Sequence, residues 1–403
     1  MYDIEKIRED FPALSDTFDG KPNIYLDTAA SAQKPQCVID KICRIYTHTY
    51  ANVHRGTYAL ATAITQEYEQ ARQVIASFIK AKSCEIIFTR NATESINLVA
   101  ASWAEQNLKE NDEILVSEAE HHANLVPWQI VAKKVGAKLK IFKIADDGSY
   151  IKEEFEKLLT DKVKLVAVTA MSNVLGTIFP IKEIVEKAHQ IGAKVSVDAC
   201  QSIVHQRTNV QDLDCDFLCF SGHKLYGPTG IGVLYAKENI LQDMPPYQTG
   251  GDMIDEVTYQ KTTFAEPPAR FEAGTPAAVQ AIGLGEAVKY VSNIGFDDIE
   301  MHEKRLIAYF NEKAAITDGL KIIGTAKEKG GVFAFDFNNI HPQDLSFVLA
   351  HEGVAVRVGH HCAEPLVKRM GYQSLARVSF GLYTSKSDID AFFKALNKAK
   401  SFF

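Results

Sequence analysis

The stretch "RVGHHCAEPL", residues 357–366, sets His360 and His361 directly against Cys362, with Gly359 before them and Pro365 after. Three soft or borderline ligands in a row could hold a metal, and the same three could equally flank a reactive thiol. A second stretch, "SGHKLYGPTGIG" (221–232), places Lys224 between Ser221 and a glycine-rich turn. A lysine there could form a Schiff base with an aldehyde, since desolvation beside other cations makes the amine nucleophilic. Taken alone, it also reads as a solvated loop lysine. Ser221 and His223 supply polar contacts at the same place.

Further candidates are spread along the chain. In "KVSVDACQS" (194–202), Asp198 closes an apolar run. A carboxylate there needs a positive partner, and a protonated pyridine nitrogen would serve, as would an ordinary salt bridge or a capping role. In "RNATESINLVA" (90–100), Thr93 stands in a polar turn before an amphipathic helix, where free N–H groups and the helix dipole favour a phosphate. His121 and His122 follow "EILVS" in "SEAEHHANLVPW"; an imidazole there can stack on a planar group and move protons near neutral pH. Asn173 sits just past another apolar run, in "SNVLGT".

These residues share one structural context. Short β-rich runs occupy 85–89, 113–117, 138–144, 164–171, 193–199, 216–221 and 230–236, with helical patterns at 93–104, 125–135 and 181–190 between several of them. Near-continuous apolar strands separated by helices predict an α/β fold, its mostly parallel seven-stranded sheet covered on both faces. Ligands in such sheets bind at the C-terminal strand ends, where the candidates fall. A helical stretch over roughly 276–317 follows "GTP", and then "GGVFAFDF", "GVAVRV" and "LARVSFGL" predict a smaller α+β domain. The Pro- and Gly-rich segments 245–253 and 264–276 read as functional loops.

Bulk properties remove several classes of function. The net charge of −7 over 403 residues, with basic residues scattered, gives no reason to expect nucleic acid or an anionic membrane as a partner. No run approaches the roughly 18 apolar residues of a membrane span. The opening "MYDIEKIREDFPAL" lacks an apolar core, so no secretory signal is expected. Seven cysteines without CxxC spacing suit a reducing cytoplasm, and Cys215 and Cys219 in "CDFLCF" read as strand packing.

Each signal is weak singly. Together, a phosphate turn, an aromatic lid, an acid for a pyridine nitrogen and a lysine, in chain order at strand ends, describe a pyridoxal 5'-phosphate site. The order "NATESIN", "EHHANLVPW", "SNVLGT", "VDACQ", "SGHKLYGPTGIG", "RFEAGTP", "GHHCAEP" closely resembles the group II cysteine desulfurases, the SufS-like and CsdA-like enzymes of the class V aminotransferase superfamily. The resemblance runs from "YLDTAASAQKP" (25–35) to the C-terminus. It departs in "VDACQS", where the family usually has Gly-Ala between Asp and Gln, but Asp198 and Gln201 stay in register.

The resemblance implies a fold type I pyridoxal-phosphate transferase, with a large domain at 18–283 and a small domain from 1–17 and 284–403. It implies that Lys224 carries the cofactor, Asp198 pairs with its pyridine nitrogen, His121 stacks on its ring and Gln201 meets its phenolic oxygen. Thr93, Ser221 and His223 would bind the phosphate, with Thr275 reaching in from a second subunit of a homodimer. Asn173 and Arg377 would hold the substrate carboxylate, with Arg357 lining the pocket. Cys362 would take sulfur from L-cysteine as a persulfide and leave alanine. Arg357, His360 and His361 would favour its thiolate. In this setting a metal site is not expected.

The short cysteine loop further implies that a SufE-like or SufU-like acceptor comes to it, and that the sulfur serves iron–sulfur cluster assembly. Selenocysteine lyase and class V aminotransferase are the alternative enzyme readings. A non-catalytic scaffold would need none of Lys224, Asp198 and His121.

Overall fold

The structure, a computed structural model, describes residues 2–403. Its central sheet has seven strands: β1 (Ile86–Thr89), β2 (Glu113–Ser117), β3 (Lys138–Phe142), β4 (Val163–Thr169), β5 (Lys194–Asp198), β6 (Phe217–Ser221) and β7 (Gly232–Ala236). They lie in the order β1-β7-β6-β5-β4-β2-β3. β7 runs antiparallel to both its neighbours, and every other pairing is parallel. The expected mostly parallel sheet is thus present.

Alternating side chains point to opposite faces of a strand, and here both faces are buried. Leu115, Val166, Val168, Leu218 and Phe220 enter one core. Their neighbours Ile114, Val116, Leu165, Ala167, Phe217 and Cys219 enter the other. That is why these strands read as continuous apolar runs rather than as alternating ones. The edge strand β3 keeps Lys138 exposed and Lys140 partly exposed, charges that discourage further strand pairing.

Helices cover the sheet: α1 (Ala59–Ile79), α2 (Ala92–Leu98), α3 (Val126–Val135), α4 (Ile181–Gln190) and α5 (Ala278–Ile294); α6 (Phe296–Ala315) follows and carries Leu306 and Phe310 into a separate core. The stretch expected to be one helix over roughly 276–317 is two. Gly295, at φ +89°, ends α5 and starts α6 in a conformation that side chains rarely adopt.

A second sheet contains β8 (Leu320–Ile323), β9 (Val332–Phe337), β10 (Arg357–Gly359) and β11 (Leu375–Ser379), all antiparallel in the order β8-β9-β11-β10. Phe333, Phe335 and Phe337 pack there with Leu306 and Phe310 of α6, Leu345 and Leu349 of α7 (Pro342–His351) and Phe392 and Phe393 near the C-terminus. Between β10 and β11 lies α8 (Glu364–Arg369). The N-terminal segment joins this region, since Arg8 Nη1 donates to Tyr383 O at 2.6 Å and to Asp388 Oδ2 at 2.7 Å. Residues 24 and 25 pair in parallel with 354 and 355, which leads Asp27 beside β11.

Candidate active site

The C-terminal ends of β1, β2, β4, β5 and β6 open into one cavity of about 590 Å³, closed on its far side by β10, β11 and the loop holding Cys362. Thr93, His121, Asn173, Asp198, Gln201, Ser221, His223, Lys224, Arg357, Cys362 and Arg377 all line it. Thr275 does not; it is exposed and borders a separate pocket against Phe271 and Tyr247. A wider open cleft of about 750 Å³ beside α4 contains none of the candidates.

Lys224 ends the short turn Gly222–Lys224 that follows β6. That turn is closed by Gly222 N donating to Ile231 O at 2.9 Å and Gly227 N donating to Gly222 O at 3.0 Å. Its flank is held by Lys34, whose Nζ donates to His223 O at 2.9 Å. Burial brings the Lys34 ammonium down to about 8.

Asp198 is the last residue of β5 and is 5% exposed. Its Oδ1 accepts from Cys200 N at 2.9 Å, and among the described residues no lysine or arginine forms an ion pair with it. A buried carboxylate without a cation is costly, so a cationic ring nitrogen fits this position. His121 accepts from Ala123 N through Nδ1 at 3.0 Å. Burial, then the nearby Lys224 charge, lower His121 to about 4. At neutral pH the ring is therefore uncharged, suited to stacking.

Behind His121, the buried Glu120 takes Thr169 N at 2.8 Å and Asn124 Nδ2 at 2.7 Å, and also bonds Ser117 Oγ. Burial raises this carboxyl to about 8. The network ties the loop that presents His121 to β4.

The start of α2 opens on the cavity beside Ser221. Asn91 Oδ1 caps the helix by accepting Glu94 N at 2.9 Å, and Ser221 Oγ accepts Ala92 N at 2.9 Å. Thr93 is exposed beside them. Gly232 permits this approach, because a Cβ there would lie 2.5 Å from the Asn91 backbone. His223 is lowered to about 4 by burial, Lys224 and Lys34, so it meets an anion as a neutral hydrogen-bonding ring. Hydroxyls, a helix start and the cation-free Asp198 together fit pyridoxal phosphate.

The wall formed by β10 and β11 contains a charge cluster. Arg377, 3% exposed, donates from Nη1 to Asn173 O at 2.8 Å and from Nη2 to Asp27 Oδ1 at 3.2 Å. Its Nε is buried and has no hydrogen-bond partner. Arg357 stands opposite Arg377 across β10 and β11 and reaches Asp27 Oδ2 at 3.8 Å. Two arginines facing each other repel, and one aspartate offsets only part of that charge. The remaining positive charge and the free Nε suit a carboxylate.

Cys362 is exposed at the rim of this cavity. Both His361 (φ 53°) and Cys362 (φ 55°) adopt left-handed backbone conformations that are uncommon for such residues and cluster at functional sites. Asn173 Nδ2 donates to His361 O at 2.7 Å, and His361 Nε2 meets Leu375 O at 3.0 Å. Burial, then Arg377, push His361 down to about 3. His361 therefore brings no positive charge to the thiol, contrary to the sequence expectation. Among the described residues no group of three or more His, Cys, Asp and Glu side chains is placed to hold a metal.

Sequence reasoning missed Asp27, Lys34, Glu120 and the use made of His122. Asp27 had a signal, a lone acid in the apolar start of "YLDTAASAQKP"; the others had none beyond adjacency to motif residues.

The fold and the site together define a class: the chain belongs to the class V aminotransferase family, whose model matches residues 24–392. Curated relatives of 44–47% identity are named cysteine desulfurases or probable cysteine desulfurases. The chain is 47% identical to the cysteine desulfurase of Dickeya dadantii, covering 98% of this chain and 97% of the relative. It is 45% identical to a probable cysteine desulfurase of Mycobacterium leprae, but spans only 65% of that longer protein. The crystal structure of the cysteine desulfurase CsdA from Escherichia coli superposes with a TM-score of 0.93 at 38% identity, covering 100% of both chains.

Proposed function

We propose that this chain is a pyridoxal-phosphate-dependent cysteine desulfurase that converts L-cysteine to L-alanine and leaves a persulfide on Cys362. The observation that carries the reading is the presence of Cys362 in the same cavity as Lys224 and Asp198. An aminotransferase needs the lysine and the aspartate but has no use for a thiol at that rim.

When bound, the cofactor supplies an electron sink that weakens bonds at the substrate carbons next to the amine. Lys224 Nζ holds it and moves protons at the substrate α carbon. Asp198 would keep the pyridine nitrogen protonated, and neutral His121 would cover the ring. Gln201, whose Nε2 donates to Ala29 O at 2.8 Å, would meet the phenolic oxygen through its amide. Thr93, Ser221 and His223 bind the phosphate. Arg377 and Asn173 fix the substrate carboxylate, with Arg357 at the mouth.

Cys362 Sγ, as thiolate, attacks the substrate sulfur. The carbon–sulfur bond breaks, the persulfide forms on Cys362, and the former β carbon takes a proton to become the methyl group of alanine. The same site would accept selenocysteine.

The loop is short and held at both ends, so the persulfide waits for a protein acceptor, of SufE-like or SufU-like type, in iron–sulfur cluster assembly in the cytoplasm. We read residues 18–283 as the cofactor domain and 1–17 with 284–403 as the small domain. Exposed Thr275 supports a homodimer in which each subunit lends this hydroxyl to the other's phosphate.

The test is alanine formation from L-cysteine by the wild type and by Cys362→Ala. The variant is expected to bind cysteine, shown by a shift in cofactor absorbance, and to form almost no alanine. Alanine formation at the wild-type rate would remove Cys362 from the chemistry.

A further inference from the structure

His121 and His122 are adjacent, and both line the cavity. We propose that His122 is the positioning residue for Cys362, holding the nucleophile loop in its strained shape from the opposite wall of the cavity. The inference rests on the reading of Cys362 as the nucleophile.

His122 opens the short turn His122–Asn124 after β2. Its backbone N–H donates to Cys362 O at 2.6 Å. Its ring Nε2 accepts from Glu364 N at 3.0 Å. One residue thus grips the backbone at Cys362 and two residues beyond it. Glu364 is the first residue of α8, so its N–H is one of the donors that a helix start leaves without an internal partner. The ring of His122 therefore caps α8 from the other side of the cavity. It can accept only as neutral imidazole with its proton on Nδ1.

The loop needs such a grip. His361 and Cys362 are consecutive left-handed residues, and a non-glycine pair persists there only when surrounding contacts over-determine it. Ala363 N donates to His360 O at 2.9 Å and closes the turn from within. Asn173 holds the His361 carbonyl before the cysteine. After the cysteine, the contact from the opposite wall is the His122 ring. Releasing it frees the thiol to leave its attacking position without altering Arg377, Lys224 or Asp198, which bind substrate and cofactor.

The experiment compares His122→Phe, His122→Gln and Cys362→Ala holoenzymes. Phe keeps a ring but cannot accept a hydrogen bond, whereas the Gln amide oxygen reaches about as far as Nε2. For His122→Phe, kcat for L-cysteine is expected to fall on the order of 100-fold, the usual consequence of a nucleophile misplaced by about 1 Å. KM should stay within about twofold, because loss confined to the transition state leaves ground-state binding alone. Hydrogen exchange in the peptide spanning 360–366 should quicken. His122→Gln should restore most of kcat and the slow exchange.

A general structural role would instead lower cofactor retention and raise KM, and Gln would not rescue it. If His122→Phe keeps wild-type kcat, or folded His122→Gln is as slow as His122→Phe, the positioning role is wrong. If Cys362→Ala itself forms alanine at the wild-type rate, the nucleophile assignment fails first.

Discussion

Replacing Arg377 by lysine keeps the charge and removes the fork. The guanidinium makes two directed bonds, Nη1 to Asn173 O and Nη2 to Asp27 Oδ1, and its buried Nε has no hydrogen-bond partner. A lysine ammonium still pairs with Asp27, so the variant should fold and hold cofactor. What it cannot do is satisfy the protein and present planar, paired donors to a carboxylate at once. The loss is about one charge-assisted hydrogen bond, about 1.5–3 kcal/mol. That corresponds to a rise of roughly 10- to 150-fold in KM for L-cysteine.

The carboxylate is held equally before and during the chemistry, so kcat should change much less. Initial rates of alanine formation against cysteine concentration separate the two constants. Arg357→Lys serves as the control. That side chain is 56% exposed and 3.8 Å from Asp27, so its replacement should change KM by less than about threefold, as weak exposed pairs do. A KM for Arg377→Lys within about twofold of wild type, with cofactor retained, would refute the assignment of the substrate carboxylate to Arg377.

Lys224→Ala is expected to abolish turnover and alter the visible absorbance of the cofactor while far-ultraviolet circular dichroism stays unchanged; measurable steady turnover would contradict the role of this lysine. Glu272→Ala strips a carboxylate that accepts Arg72 Nη1 at 2.7 Å, Arg72 Nη2 at 2.9 Å, Tyr68 OH at 2.9 Å and Phe88 N at 2.7 Å. It leaves Glu69 as the one carboxylate paired with the buried Arg72, so chemical denaturation should show a loss of about 3–5 kcal/mol, and a loss below about 1 kcal/mol would discount the Arg72–Glu272 pair as a stabilising contact. The third concerns pH. His121 and His223 are lowered to about 4 and His361 to about 3, below their ordinary value of 6.5, so these three rings bind more protons in the unfolded chain than in the folded one between about pH 6.5 and 3, opposed in part by the single carboxyl of Glu120, raised to about 8. Stability should therefore fall as pH drops through that window, and His361→Asn should flatten the fall; identical denaturation midpoints at pH 7 and 5 would contradict it.

The strand ends were legible because this sheet is buried on both faces. A strand in that position is largely apolar, so the polar residues that close or follow it mark the rim of the cavity. Asp198 closes β5, and His121, Asn173 and Lys224 stand a few residues past β2, β4 and β6. The α5–α6 junction was not legible, because a single glycine inside a helical pattern costs only about 1 kcal/mol and is often tolerated. That Gly295 turns the chain depends on how α6 packs under the second sheet.

What the sequence alone determined was the set of chemical groups, their order, and the sheet that brings them to one edge, since all of these follow from local apolar pattern. Tertiary structure decided which groups touch. Asp27 and Arg377 are separated by 350 residues, and Arg72 and Glu272 by 200. No local pattern records such pairs, because they depend on where remote segments come to rest. Burial decided the charge states as well. His361 looks like a cation beside a thiol when read as letters. Enclosed next to Arg377, it is a neutral ring, because burial and the neighbouring guanidinium outweigh the one hydrogen bond to Leu375 O that favours its charged form.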